Sequence, residues 1–138
     1  MEAVRNKVVI DTDILVDMLR GVEKAVKFIA ELESKGFVLL TTVINAYELY
    51  YGAYKSKKRP QNLKAVRRLL ERMAILKMDR KSAEKAGRIQ AELESEGWPI
   101  GVRDIMIGAI AITRDYALAT RNVEHLQKVK DLSLIVAP

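Results

Sequence analysis

Lys7-Val8-Val9-Ile10-Asp11-Thr12-Asp13-Ile14-Leu15 is the stretch on which the fold of this chain depends. Its apolar run, residues 8–10, is short and continuous, which is typical of a strand buried on both faces of a parallel sheet. The run ends at Asp11, and apolar residues at helical spacing follow from Ile14. In open α/β sheets, ligands bind at the carboxyl ends of such strands. Asp11 is therefore a carboxylate at a position where a binding site is expected.

Strand and helix patterns alternate along the rest of the chain. Further strands are predicted at 37–41, 74–78, 116–120 and 132–136, and helices at 14–20, 23–35, 43–55, 62–73, 80–96, from 104 onward and at 123–129. This alternation predicts an α/β fold, a three-layer α/β/α Rossmann-like domain with a central, mainly parallel sheet. No internal repeat or domain boundary interrupts the pattern, so residues 1–138 are expected to form one domain.

Composition narrows the class of protein. The chain has no cysteine, which excludes disulfides and thiolate metal sites and fits a cytoplasmic protein. No apolar run approaches the roughly 20 residues that cross a bilayer, and the N-terminus lacks the apolar core of a signal peptide, so no membrane association is expected. The net charge of +6 is compatible with a polyanionic partner, although solubility alone explains it equally well.

Four polar side chains occur where a fold of this kind gathers its ligands. Asp11 ends the first strand, Glu48 lies early in the helix after the second strand, Asp104 opens an apolar helix, and Asn122 follows the strand at 116–120. Clustered carboxylates repel one another unless a cation lies among them. Hard oxygen ligands without cysteine or paired histidine favour Mg²⁺ or Mn²⁺. Such a metal supports hydrolysis of phosphodiesters.

Each of these residues also has a purely structural explanation. Asp13, Asp104 and Asn122 can cap the helices next to them, because Asp and Asn are preferred N-cap residues. Glu48 can face solvent. Asp11 is harder to explain in this way, since a carboxylate directly after a buried strand needs hydrogen bonds or a cation to offset its desolvation.

Four segments together resemble the ordered motifs of PIN-domain nucleases, and in particular the VapC-type toxins of bacterial and archaeal toxin–antitoxin pairs. They are residues 9–15, 42–52, 104–111 and 118–126, which span nearly the whole chain. Each motif is short, but four in the same order at compatible spacing are fairly specific. The resemblance implies a single PIN-like nuclease domain over residues 1–138 that acts as a Mg²⁺- or Mn²⁺-dependent endoribonuclease.

The resemblance also implies roles for the four residues. Asp11, Glu48 and Asp104 correspond to the acids of the family's pocket, and Asn122 stands where the family often has Asp. Because Asn122 gives the pocket one negative charge fewer, we expect one tightly bound metal ion and not two. This ion is expected on Asp11 and Asp104, with Glu48 close by. The expected reaction is in-line attack of metal-activated water on an RNA phosphodiester. Asp13 either adds a charge to this site or caps the first helix.

Candidate substrate contacts surround the predicted pocket. Thr12 and Thr120 carry hydroxyls that can orient water or phosphate, and Arg103 and Arg121 adjoin the pocket as candidate phosphate contacts. His125 is the only histidine, so it builds neither a paired-histidine metal site nor a two-histidine acid–base pair; we interpret it as a packing residue of the last helix.

Two further patterns concern partners. Tyr47, Tyr50, Tyr51 and Tyr54 share one helix face, which predicts core or dimer packing, or a groove for a partner helix. The resemblance favours a cognate small antitoxin as that partner, and a homodimer. Basic residues crowd the next connector and helix, as a solvated surface or as a path for the RNA backbone: Lys55, Lys57, Lys58, Arg59, Lys64, Arg67, Arg68 and Arg72.

Other functions remain open on the sequence alone. A nucleotide-binding module is disfavoured because no glycine-rich loop follows the first strand. A catalytically silent PIN-like module that binds RNA or protein is compatible with Asn122. A nuclease for another nucleic-acid substrate, DNA or ribosomal RNA, would use the same residues. The sequence identifies neither the RNA that is cut nor the antitoxin.

Overall fold

The computed structural model describes residues 6–138. Its sheet has five strands, all parallel to their neighbours, in the order β3-β2-β1-β4-β5. The strands are β1 (Lys7–Ile10), β2 (Val38–Thr42), β3 (Ala74–Leu76), β4 (Ala117–Thr120) and β5 (Leu134–Val136). The prediction of a mainly parallel sheet is confirmed.

Helices connect successive strands and cover both faces of the sheet. They are α1 (Thr12–Leu19), α2 (Glu23–Ser34), α3 (Val43–Lys55), α4 (Arg59–Glu71), α5 (Arg80–Ser95), α6 (Val102–Arg114) and α7 (Val123–Leu126). Gly36 and Gly97 follow α2 and α5 with φ of +88° and +79°, the left-handed conformation that ends a helix. Among residues 6–138, no helix is long and apolar enough to cross a membrane.

The two faces of β1 divide the core into two layers. Val8 and Ile10 point to one face, where α1 to α4 pack on them. Val9 points to the other face, against α5 and α6. The side chains of Val8, Val9 and Ile10 are fully buried, as the continuous apolar run predicted. The three-layer α/β/α architecture is therefore also confirmed.

Several predicted boundaries shift by a few residues, as helix ends often do. Helix α1 begins at Thr12 because the side chain of Asp11, and not that of Asp13, accepts the hydrogen bond of the first helical N–H. Helix α6 begins at Val102, so Asp104 lies in its first turn and does not cap it. Thr42 and Asp79 are N-cap residues, whose side chains accept hydrogen bonds from the helices that they precede.

Candidate functional site

The sheet order places the ends of β1 and β4 side by side. The chain leaves β1 toward β2 on one side and returns to β4 on the other, so the strand order reverses next to β1, where α/β sheets form their ligand crevice. Ile10 pairs with Ala119, and the N–H of Asp11 donates to the carbonyl oxygen of Ala119 at 3.0 Å. Asp11, which follows β1, and the buried Thr120, which is the last residue of β4, therefore lie at this crevice.

Asp11 is a buried carboxylate with three hydrogen-bond donors and no basic partner among the described residues. Its Oδ1 accepts from the backbone N–H of Thr12 at 2.8 Å and from the amide of Asn45 at 3.3 Å. Its Oδ2 accepts from the hydroxyl of Thr120 at 2.7 Å. Only 8% of the residue is exposed. Burial raises the pKa of Asp11 above its ordinary value of 3.8 even though these hydrogen bonds oppose the shift.

Asp104 and Asn122 meet across the same crevice. The Asn122 amide donates to Oδ2 of Asp104 at 2.8 Å, and the backbone N–H of Asn122 donates to the Thr120 hydroxyl at 2.9 Å. Partial burial raises the pKa of Asp104, and the charges of Asp11 and Glu48 raise it further. The second oxygen of Asp104, Oδ1, accepts no hydrogen bond within residues 6–138, so it remains open to a ligand.

Glu48 reaches the crevice from α3. Its Oε1 accepts from the hydroxyl of Thr12 at 2.7 Å, and its Oε2 lies 3.5 Å from Nη1 of Arg103. These contacts turn Glu48 toward the site and away from bulk solvent, unlike the solvent-facing alternative. Glu48, Arg103 and Asp104 line one open cleft together with Gly101 and Val102. The structure thus brings all four predicted residues, Asp11, Glu48, Asp104 and Asn122, to one crevice.

Asn45 is a site residue that the sequence analysis missed. It is fully buried. Its amide nitrogen donates to Asp11 and, at 2.9 Å, to the hydroxyl of Thr12. Its amide oxygen accepts from the backbone N–H and the hydroxyl of Thr42, at 3.2 and 2.7 Å. Asn45 therefore joins the end of β2 to the end of β1. The available signal was its position three residues after the N-cap Thr42, where a capping-box residue stands.

Three of the predicted substrate contacts, Thr12, Thr120 and Arg103, lie at the crevice. The hydroxyls of Thr12 and Thr120 both donate to carboxylates, so they hold Glu48 and Asp11 in place. Arg103 is 58% exposed in its side chain and lines the cleft.

Arg121 and Asp13 form no hydrogen bond with the four crevice residues among residues 6–138. Arg121 donates to the carbonyl oxygen of Asp13 at 2.9 Å and pairs with Asp17 at 2.5 Å, so α1 holds its guanidinium. Asp13 is exposed and makes no cap, which corrects the capping alternative for this residue. After burial and other causes, the charge of Asp13 also raises the pKa of Asp11 and of Asp104, in agreement with the alternative that it adds a charge to the site. The packing interpretation of His125 is wrong, because this residue is exposed.

The donor set at the crevice fits a hard divalent cation. Burial and the charges of Asp11 and Glu48 raise the pKa of Asp104. Asp11 is itself buried with no positively charged partner among residues 6–138, an arrangement that a cation would relieve. Oxygen ligands of this kind suit Mg²⁺ or Mn²⁺. Within the described residues, no three acidic, His or Cys side chains stand close enough to hold an ion together.

These features define a class of three-layer α/β proteins with an acidic crevice at the point where the strand order reverses. The model of the PIN domain matches residues 8–132. The chain belongs to the PIN-domain family.

Individual relatives and solved structures agree with this assignment. Ribonuclease VapC2 of Rickettsia felis is 33% identical over 75% of this chain and 78% of its own length. The tRNA(fMet)-specific endonuclease VapC of Shigella flexneri is 30% identical over 91% of this chain and 94% of its own. Among solved structures, VapBC2 from Rickettsia felis bound to a DNA fragment from its promoter has a TM-score of 0.87 at 28% identity, covering 96% of this chain and 99% of that one.

Proposed function

We propose that this protein is a metal-dependent endoribonuclease and the toxin of a toxin–antitoxin pair. The observation that carries the proposal is Asp11, a buried carboxylate with a raised pKa that lies at the carboxyl end of β1 and acts on the pKa of Asp104. Its relatives are named ribonuclease VapC2 and tRNA(fMet)-specific endonuclease VapC, which makes RNA the expected substrate.

We propose a separate role for each side chain at the crevice. Asp11 and Asp104 would hold the metal ion, Mg²⁺ or Mn²⁺. Glu48, fixed by Thr12 and Arg103, orients the attacking water. Arg103 contacts the phosphate, because its guanidinium is exposed at the cleft that Glu48 and Asp104 line. Asn122 keeps Asp104 in place through its amide.

A bound divalent ion supplies Lewis-acid polarisation of the phosphate and of water at this site. The residues of the chain supply positioning, which is the larger part of catalysis in phosphoryl transfer. Thr120 and Asn45 hold the two oxygens of Asp11, and Thr12 holds Glu48. The carboxylates therefore enter the reaction in fixed positions. Thr120 is thus a positioning residue. Arg121, whose guanidinium α1 holds, is proposed only as a secondary phosphate contact.

The partners follow from the same comparisons. The solved neighbours from Rickettsia felis, Salmonella typhimurium and Haemophilus influenzae are VapBC assemblies, which supports a cognate antitoxin for this chain. A homodimer stays a prediction, as does action in the cytoplasm. We further propose that residues 1–138 form one nuclease domain, in agreement with the family match over residues 8–132.

The test is cleavage of a mixed structured RNA that includes tRNA, by the purified protein in Mg²⁺, Mn²⁺ or EDTA. An Asp11→Asn variant of matched thermal stability serves as the control for contaminating nucleases. We expect cutting that needs metal and is lost in the variant. Cutting that persists in EDTA and in the variant would exclude the acidic-crevice mechanism.

Two other outcomes correspond to the alternative functions. Metal-dependent cutting of single-stranded DNA with no cutting of RNA would keep the chemistry and change the substrate. Binding of RNA with no cutting of either nucleic acid by the wild-type protein would identify a silent binding module. Restoring the fourth acid with Asn122→Asp separates these cases, since a module silenced by Asn122 would then regain metal-dependent cutting.

A further inference from the structure

The positive charge of this protein is concentrated in one segment. Between residues 55 and 72 the sequence has eight basic residues and one acid, Glu71, giving +7 in a chain whose total is +6. We call these eight residues the basic segment: Lys55, Lys57, Lys58, Arg59, Lys64, Arg67, Arg68 and Arg72. All eight are exposed. Among residues 6–138, none of them forms an ion pair.

The connector that carries part of this charge is held in a fixed conformation. The Nε of Arg59 donates to the carbonyl oxygen of Tyr54 at 2.8 Å, and the Asn62 amide donates to the hydroxyl of Ser56 at 2.8 Å. Ser56 in turn donates to the carbonyl oxygen of Ala53 at 2.7 Å. The basic side chains at 57–59 therefore project from an ordered turn between α3 and α4.

Helix α4 presents the remaining charge as one stripe. Arg67 and Arg68 lie three and four residues after Lys64, and the C-cap Arg72 lies four residues after Arg68, which places these side chains on the same side of the helix. Leu63, Val66 and Leu70 lie on the buried side of α4.

Exposed tyrosines connect the basic segment to the crevice. Tyr47, Tyr51 and Tyr54 are 57%, 53% and 50% exposed, so core packing is wrong for these three, and only Tyr50 packs against the core. The rings of Tyr47 and Tyr51 are stacked with centroids 6.3 Å apart, and Lys55 lies 5.5 Å from the Tyr51 ring. Glu48 is on the same helix, about 10 Å along the axis from Lys55 at 1.5 Å per residue.

We propose that this surface, the basic segment together with Tyr47, Tyr51 and Tyr54, binds single-stranded RNA beyond the scissile phosphate. The inference rests on the proposed function and extends it to a second region of the substrate. Proteins that bind single strands combine a positively charged path for the backbone with aromatic rings on which bases stack. A second copy of this chain is a poor occupant of this surface. A two-fold contact would bring together two segments that each carry a net charge of +7, and they would repel one another.

The first experiment measures binding in EDTA, so it does not depend on cleavage. The probe is a fluorescein-labelled 24-nucleotide single-stranded RNA of mixed sequence, titrated at several salt concentrations. The stripe variant carries Lys64→Gln, Arg67→Gln, Arg68→Gln and Arg72→Gln. Its matched control carries Lys24→Gln, Lys77→Gln, Arg80→Gln and Lys81→Gln, the same charge change at exposed residues elsewhere.

We expect the stripe variant to bind the RNA at least about tenfold more weakly than the control variant. The slope of log affinity against log salt should become shallower by up to about 2.8, at about 0.7 per lost phosphate contact on a single strand. A variant with Arg67→Lys, Arg68→Lys and Arg72→Lys should keep the wild-type slope, because this effect requires charge alone. Equal affinity and slope in the stripe and control variants would overturn the proposal.

The tyrosines are tested separately by Tyr47→Ala and Tyr51→Ala. Stacking adds about 1–3 kcal/mol per base, so each substitution should weaken RNA binding about fivefold or more and leave the salt slope unchanged. A polyglutamate peptide serves as the protein-like polyanion. Loss of polyglutamate binding with intact RNA binding in the stripe variant would assign the surface to an acidic protein and overturn the RNA assignment.

Discussion

Asp11 and Asp79 both cap the N-terminus of a helix, yet the pKa of Asp11 is raised and that of Asp79 is lowered. Asp79 is at the surface, where the N–H and hydroxyl of Ser82 donate to it at 2.9 and 2.7 Å and Arg114 lies 3.7 Å away. Asp11 accepts three hydrogen bonds but is buried without a basic partner in the described chain. The hydrogen bonds therefore stabilise the charged form of Asp79 at the surface. At buried Asp11 they do not offset the desolvation that raises its pKa.

The comparison separates a structural aspartate from a functional one. A cap needs only an oxygen that accepts from the first turn, which Asn provides as well as Asp. Retaining a charged carboxylate in a buried crevice beside Asp104 costs free energy that capping does not require. A cation bound at the crevice, as proposed above, would offset this cost, and four predictions test the difference between the two aspartates.

The largest expected effect is on RNA cleavage. Asp11→Asn should lower the cleavage rate by at least about 100-fold, above the range seen for residues that only support metal ligands. Asp79→Asn, which keeps a capping side chain, should leave the rate within about twofold. Rates are measured on the same RNA in saturating Mg²⁺ or Mn²⁺. Equal rates for Asp11→Asn and the wild-type protein would remove Asp11 from the catalytic machinery.

The second prediction concerns the partners of the two aspartates. Asn45→Ala removes the hydrogen bonds that the Asn45 amide donates to Asp11 and Thr12. The cleavage rate should therefore fall about 10- to 100-fold. Losing these buried hydrogen bonds should also lower the free energy of unfolding by about 1–3 kcal/mol. Ser82→Ala, the matched change beside Asp79, should lower stability without changing the metal-saturated cleavage rate. Cleavage by Asn45→Ala that matches Ser82→Ala would show that Asn45 only stabilises the fold.

These two residues also show how far the sequence alone could be used. The place of Asp11 follows from a continuous apolar run, because the burial of a strand and the site at its carboxyl end are both general properties of α/β sheets. Asn45 could not be assigned in this way. Its local sequence shows a capping box, and its contact with Asp11 exists only because β2 pairs with β1.

The arginines near the site illustrate the same limit. Arg103 and Arg121 are equally close to predicted site residues in the sequence. In the structure Arg103 faces the cleft, whereas Asp17 and the Asp13 carbonyl oxygen hold Arg121. Side-chain direction depends on contacts between elements, which the spacing of residues does not contain. The start of α1 was misplaced for a related reason, since Asp11 serves both as its cap and as a site residue.

The third prediction concerns stabilisation by metal. Mg²⁺ or Mn²⁺ at 100 times its dissociation constant should raise the free energy of unfolding of the wild-type protein by about 2.7 kcal/mol. Asp79→Asn should retain this increase, and Asp11→Asn should lose most of it. Thermal unfolding with and without metal, in parallel with an EDTA control, measures the difference. The same increase in Asp11→Asn would place the ion elsewhere on the protein.

The smallest effect is the pH dependence of stability in EDTA, where the two aspartates should act in opposite directions. The pKa of Asp11 in the folded protein lies above its ordinary value of 3.8, so the folded state binds this proton more tightly than the unfolded chain does. The free energy of unfolding should therefore fall as pH rises from 3.8 through the raised pKa. The pKa of Asp79 lies below 3.8, so its stabilising contribution is present above 3.8 and is lost as pH falls through the lowered pKa.

Urea unfolding at a series of pH values resolves the two contributions. Asp11→Asn should flatten the fall in stability above 3.8, and adding Asp104→Asn should flatten it further, because the pKa of Asp104 is also raised. Asp79→Asn should flatten only the loss at lower pH. If the profile of Asp11→Asn ran parallel to that of the wild-type protein, the carboxylate would carry no folded-state penalty. A bound cation would then have no penalty to offset at Asp11.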